Sequence, residues 1–243
     1  MSEQERNVPV AWSRRFRGGR PEQPVLSREQ IVQTARKMLD EEGLEGLSMR
    51  RLGARLEAGA TSVYWYVANK DELLDLAMDE VLAEITIPDL TGDWRADLYA
   101  LVKGLRAMMF AHPWALQVYN NRPVFGPHAR EYAEAQLRLL RSAGFVGDDL
   151  DGAFHMIVDY VRGSVTIDPP RPVRRPRRHS DGEQRMTLND STPDVVAPYP
   201  ALREYREHAL THDRSLLLQR RFDFGLRVLL EGLARRLDNA KHP

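Results

Sequence analysis

A chain of 243 residues with 42% hydrophobic content is long enough to bury one large core or two modest ones. It contains no cysteine, which excludes disulfides, thiolate-bound metals and cysteine nucleophiles and agrees with a reducing cytoplasm. Basic and acidic residues balance at 35 each, so net charge names no partner. No apolar run approaches the roughly 20 residues of a membrane span, and the polar start MSEQERNVPV lacks the apolar core of a signal peptide, so a cytoplasmic protein with no membrane partner is expected.

In chain order, residues 1–26 read as a flexible basic arm, whose Arg14, Arg15, Arg17 and Arg20 are placed to enter a minor groove. Between residues 10 and 70, eleven Arg and Lys face seven Asp and Glu. Most of those acids crowd into Asp40 to Glu45, which leaves the arm and the Arg50 segment basic. Ser27 with Gln30 has capping-box spacing, Ile31, Ala35, Met38 and Leu39 form one apolar stripe, and Gly43 is placed to end the helix, so a first helix is predicted over about 28–42. Ser48 is positioned to cap a short second helix that turns Leu52 and Leu56 inward, and Ala58-Gly59 breaks it before a third, ATSVYWYV. A longer amphipathic helix follows from Lys70 to about Ile85 and stops near Pro88.

Helical periods are then expected at about 93–111, 114–121, 127–142 and 149–166. Residues 168–200 change character, because repeated prolines break regular structure and Arg171 to Arg178 crowd like charges, so a Pro/Arg-rich loop is expected there. Helices resume at about 201–211 and 213–237, the last with a broad apolar surface. No strand alternation is found, and the expected fold is all-α: a three-helix domain over 27–72 joined to a helical domain over 73–243.

A helix, a Gly-containing turn and a second helix with polar and aromatic outward residues is an arrangement that fits a major groove. Packing Ala60, Val63 and Val67 inward leaves Thr61, Ser62, Tyr64 and Trp65 facing outward, while Arg50 can reach a guanine edge and Lys70 a phosphate. The segment LSMRRLGARLEAGATSVYWYVANKDELLDL resembles the DNA-binding domain of the tetracycline-repressor (TetR) family, through Val63, Tyr64, Trp65, Tyr66, Asn69, Lys70, Leu73 and Leu74. Carried over by position, the resemblance implies base or groove contacts by Arg50, Ala60, Thr61 and Ser62, and phosphate contacts by Ser48, Tyr64, Tyr66 and Lys70. The chain departs from the tetracycline repressor at Gly59 and Ala60, where that protein has longer polar side chains, so its operator sequence does not carry over.

The stretches DWRADLYALVKGLRAMMFAHPWA, DYVRGSV and FDFGLRVLLEGLARRL are similar to the ligand-binding domain of the same family. That resemblance implies a homodimer whose four-helix interface uses about 149–166 and 213–237, and a small-molecule effector such as an antibiotic or related metabolite; Gly225 and Gly232, one heptad apart, read equally as permitting close helix approach or as glycines tolerated near a helix end. Met108, Met109, Trp114, Tyr119 and Phe125, with His155 and Tyr160 as polar anchors, are candidate lining for a hydrophobic or aromatic ligand. The expected partner is double-stranded DNA bearing a palindrome, and the expected activity is ligand-released repression; an activator or a ligand-independent regulator shares the same motif. An enzyme has no nucleophile elbow, phosphate loop or dinucleotide fingerprint to work with, and no metal or cofactor is expected, since His208 and His212 at i, i+4 read as an exposed helix face.

Overall fold

The computed structural model describes residues 26–89, 91–121, 124–167 and 197–241, and among these there are ten helices and no strand. The helices are α1 (Arg28–Gly46), α2 (Met49–Arg55), α3 (Ala60–Tyr64), α4 (Lys70–Leu82), α5 (Trp94–Ala111), α6 (Pro113–Asn121), α7 (Pro127–Ala143), α8 (Gly147–Ile167), α9 (Pro200–Leu210) and α10 (Arg214–Lys241). Most of the expected arm, up to residue 25, and the Pro/Arg-rich stretch from 168 to 196 lie outside the described residues. The chain forms two compact units, one reaching residue 175 and the other starting at Pro176.

Local chemistry sets the helix ends. The Ser27 hydroxyl accepts from Gln30 N while Gln30 Oε1 accepts from Ser27 N, both at 3.0 Å, closing the capping box that the sequence shows. Asn69 caps α4 by accepting from Glu72 N at 2.8 Å, and Asp93 caps α5 by accepting from the amides of Arg95 and Ala96. Gly43 has φ 71° and ψ −170°, a conformation open almost only to glycine, yet the helix resumes for one more turn to Gly46. The predicted stop at residue 42 is therefore a kink. The third helix is shorter than expected, ending at Tyr64, and Trp65 and Tyr66 continue it only as a turn.

In the first unit, α1 packs on α4 and α2 on α3 around Ile31, Ala35, Met38, Leu39, Leu52, Val63, Val67 and Leu73, all essentially excluded from solvent. The 72/73 boundary read from the sequence falls inside the unbroken α4, whose inward positions Ala77, Met78 and Val81 are equally buried. Helices α5 to α8 then pack on one another and on α1 and α4. Asp79, in the middle of α4, is 2% exposed and accepts from Ala129 N at 3.1 Å and from His128 Nδ1 at 2.8 Å, so a side chain of α4 caps the N-terminus of α7. In the second unit Arg221 of α10 donates to the Tyr205 hydroxyl of α9 at 2.7 Å. Along α10, Phe222, Leu226, Leu230 and Leu233 are buried, whereas Phe224 and Val228 are exposed.

Two glycines hold close approaches. A Cβ on Gly53 would lie 2.9 Å from the Ala58 carbonyl oxygen and 3.0 Å from Ala60 N, so α2 meets the start of α3 only because that side chain is missing. One on Gly126 would lie 1.9 Å from Asp79 Oδ1, inside the cap of α7. Gly53→Ala and Gly126→Ala are each expected to cost about 1–3 kcal/mol, through overpacking in the first case and loss of the buried hydrogen bonds in the second. Urea denaturation followed by helical circular dichroism checks both, and an unchanged midpoint in either variant contradicts the packing described.

Candidate nucleic-acid interface

The α2–turn–α3 segment is held from below and bare on top. Ala58 N donates to Gly53 O at 2.8 Å, and Glu57 takes a positive φ of 53° to reverse the chain. Val63 and Val67 are fully buried and pin the far end of α3 to the α1/α4 core. With that face fixed, Thr61, Ser62, Tyr64 and Trp65 have to face outward. All four are exposed, Tyr64 by 50% and Trp65 by 84%, while Ala60 and Tyr66 are half-buried. A five-residue helix with an indole standing in solvent is poor packing and a good probe for a groove.

Ion pairs sort the basic residues of this region. Arg51 donates to Glu42 Oε2 at 2.5 Å and to Gly46 O at 2.6 Å, and Arg55 reaches Glu41 at 2.5 Å, so both brace α2 against α1. Arg28 pairs with Glu72 at 3.1 Å, and the second oxygen of Glu72 accepts from Ala68 N at 2.7 Å. Counting charge along the sequence could not separate these bracing arginines from Arg50, which is exposed and has no ion pair among the described residues. The Ser48 hydroxyl accepts from Arg51 N at 3.2 Å as the α2 cap, which leaves its proton to donate. Lys70 Nζ donates to Leu44 O at 2.8 Å, using one of its three protons.

The candidate effector residues separate by burial. Met108, Met109 and Trp114 are buried, Tyr119 and Tyr160 half-buried, and Phe125 and His155 exposed. Burial pushes the Tyr119 hydroxyl above the usual phenol range although Arg162, whose guanidinium lies 5.0 Å from its ring centre, opposes the shift. Tyr132 is shifted further in the same direction, again by burial. Both phenols stay protonated and can donate. A cavity between the end of α4 and α7, lined by Leu82, Ile85, His128 and Tyr132, holds about 40 Å³, room for a water and not for a drug-sized molecule.

Trp114 has a definite polar partner: its indole N–H donates to Asp40 Oδ1 of α1 at 2.7 Å. The same oxygen lies 2.7 Å from His112 Nδ1, and His112 Nε2 lies 3.1 Å from Glu84 Oε2, just beyond α4. Arg36 of α1 pairs with Glu84 and lies 3.7 Å from Glu80. No feature of the sequence announced this cluster, because Asp40 and Trp114 stand 74 positions apart.

The reading head and the helices beyond it have counterparts among known proteins. Residues 31–77 match the profile of bacterial regulatory proteins of the tetR family, and residues 87–237 match that of the tetracyclin repressor-like C-terminal domain. An HTH-type transcriptional regulator of Saccharopolyspora erythraea is 38% identical over 180 residues, 74% of each chain. The HTH-type transcriptional repressor DrrR1 of Streptomyces coeruleorubidus is 35% identical over 94% of this chain and 84% of its own. Among solved structures, apo ActR from Streptomyces coelicolor is 30% identical and aligns with a TM-score of 0.73 over 90% of this chain and 100% of that one. ActR has also been solved in complex with actinorhodin, at 30% identity and a TM-score of 0.69 over 87% of this chain and 98% of that one. The chain belongs to the TetR family of bacterial DNA-binding transcriptional regulators.

Proposed function

We propose that the protein is an effector-released repressor, cytoplasmic and dimeric, that holds a palindromic operator until a small hydrophobic molecule lowers its affinity. The observation that carries this reading is the exposed face of α3, with Trp65 and Tyr64 in solvent above a fully buried Val63 and Val67. In it Arg50, Ala60, Thr61 and Ser62 meet base edges, and Ser48, Tyr64, Tyr66 and Lys70 hold phosphates. Two such heads about 34–36 Å apart meet successive major grooves on one side of a duplex. Repression is supported by the relative named as a repressor and by the tetracyclin repressor-like C-terminal match.

In this reading α8 and α10 each offer exposed apolar side chains to a second copy. Phe224 and Val228, one turn apart, are an apolar pair 71% and 50% exposed, and Met156 of α8 is 43% exposed. Gly232 meets nothing within 4 Å of an added Cβ, which suits close approach of another helix. In this reading the effector enters among α5 to α8, beside the buried Met109 and the half-buried Tyr119 and Tyr160. Phe125 and His155 are exposed and would touch it only at the mouth. A small-molecule effector is supported by the similarity to ActR, which has been solved with actinorhodin. By linkage, a preference of about 1–3 kcal/mol for the DNA-free conformation weakens operator binding several-fold or more, and DNA weakens effector binding equally.

Selection from a random duplex pool is expected to return a palindrome; a pool with no enriched sequence contradicts the reading. With the selected duplex, Arg50→Ala should cost about 1–3 kcal/mol and relax one base position, whereas Lys70→Ala should weaken all duplexes alike and lower the salt slope by about one. Sedimentation at micromolar concentration should show a dimer that Phe224→Asp with Val228→Asp converts to monomer, with loss of the two-site footprint on DNA; a monomeric wild type overturns the dimer. Titration with actinorhodin and with hydrophobic aromatic compounds should release the duplex, and Met109→Ala should raise the concentration needed by about tenfold, equivalent to about 1.4 kcal/mol. Identical release in both proteins removes Met109 from the site.

A further inference from the structure

Three elements meet at a partly buried polar cluster on the flank of α1: the middle of α1 itself, the C-terminal end of α4, and the elbow between α5 and α6. His112 occupies the elbow, caps α5 through its own N–H to Met108 O at 2.9 Å, and is 5% exposed. Pro113 follows at the start of α6. The ring is therefore fixed by backbone on both sides. Its two nitrogens face two different carboxylates, Asp40 on α1 and Glu84 after α4. Arg36, with ion pairs to Glu80 and Glu84 and a 3.9 Å approach to Asp40, completes the charged groups that surround it.

Packing alone does not require this arrangement. The His112 side chain is 7% exposed while those of Asp40 and Glu84 stay 31% and 37% exposed, and burying an imidazole and an indole N–H costs desolvation that apolar side chains of equal volume avoid, so their use marks a need for direction and register. Hydrogen bonds work over a few tenths of an ångström and demand alignment, unlike apolar contacts, which slide. One oxygen, Asp40 Oδ1, takes both the indole of Trp114 and the ring of His112, each at 2.7 Å. Movement of the elbow by an ångström either carries Asp40 and α1 along or breaks both contacts together, which is the behaviour of a two-position joint. The two donors come from the regulatory helices, and the acceptor comes from the helix that supports α3.

We propose that Asp40 is the positioning residue that couples the effector-binding helices to the DNA-reading head, by holding the α5–α6 elbow to α1 through His112 and Trp114, with Glu84 as the second anchor on α4. The inference rests on the repressor reading above. Asp40→Leu keeps the size and removes the oxygen that accepts from both donors, whereas Asp40→Asn would retain it.

The test uses the full-length protein labelled with 5-fluorotryptophan, the Trp114 resonance being assigned from Trp114→Phe, and the palindromic duplex recovered from the random pool. Saturating duplex should shift the Trp114 resonance of the wild type with the same midpoint as DNA binding, although Trp114 lies outside the reading head. In Asp40→Leu the duplex should still bind, within about tenfold of wild type, because Arg50 and α3 are untouched, while the Trp114 resonance no longer follows it. His112→Gln should give the same separation and serves if Asp40→Leu does not fold; a cooperative thermal melt identifies folded variants. A Trp114 signal unmoved in wild type at saturating duplex, or one that follows DNA equally in the variants, overturns the coupling role while leaving sequence-specific binding intact. Failure to select any duplex overturns both this inference and the repressor reading.

Discussion

The burial of Val63 and Val67 is the constraint on which the reading head depends. A helix of five residues is too short to be stable by its own hydrogen bonds, because nucleation costs more than so few residues return. Two fully buried valines contribute about 1.5–3 kcal/mol each and hold α3 in one orientation on the α1/α4 core. Everything outward follows from that inward face: with positions 63 and 67 committed to the core, 61, 62, 64 and 65 have only solvent, or a duplex, to face.

The same core makes the head an extension of the helices beyond it. α4 runs unbroken from Lys70, beside the reading helix, to Leu82, and a carboxylate in its middle caps α7. Asp40 of α1 is tied to the α5–α6 elbow. A displacement among α5 to α7 therefore meets α1 and α4 through directional contacts with little slack. Arg51 and Arg55 matter here as braces: by pairing with Glu41 and Glu42 they fix α2 on α1, so the short α2–α3 pair moves with the helix beneath it.

Periodicity, caps and glycine positions carried most of the helix assignment. The Ser27 capping box, the stripe through Ile31, Ala35, Met38 and Leu39 and the breaks near Gly59 and Pro88 are local signals, and local hydrogen bonding and amphipathicity decide local structure. The outward set Thr61, Ser62, Tyr64 and Trp65 was legible because the buried valines four residues apart define its complement. Gly43 breaks the regular helix where its position predicts, and a further turn then carries α1 on to Gly46.

What the sequence determined by itself was the all-α class, the order of the helices and the outward face of α3, because each depends on residues within one or two turns of each other. What only the tertiary structure decided was which charged and aromatic groups are committed to partners far along the chain. Arg51 and Arg50 are neighbours in sequence, yet one is spent on Glu42 and the other stands in solvent. Trp114, expected to line a pocket, spends its indole N–H on Asp40, 74 positions away. Pairing of this kind is set by how helices cross, and no local pattern encodes where a distant helix will lie.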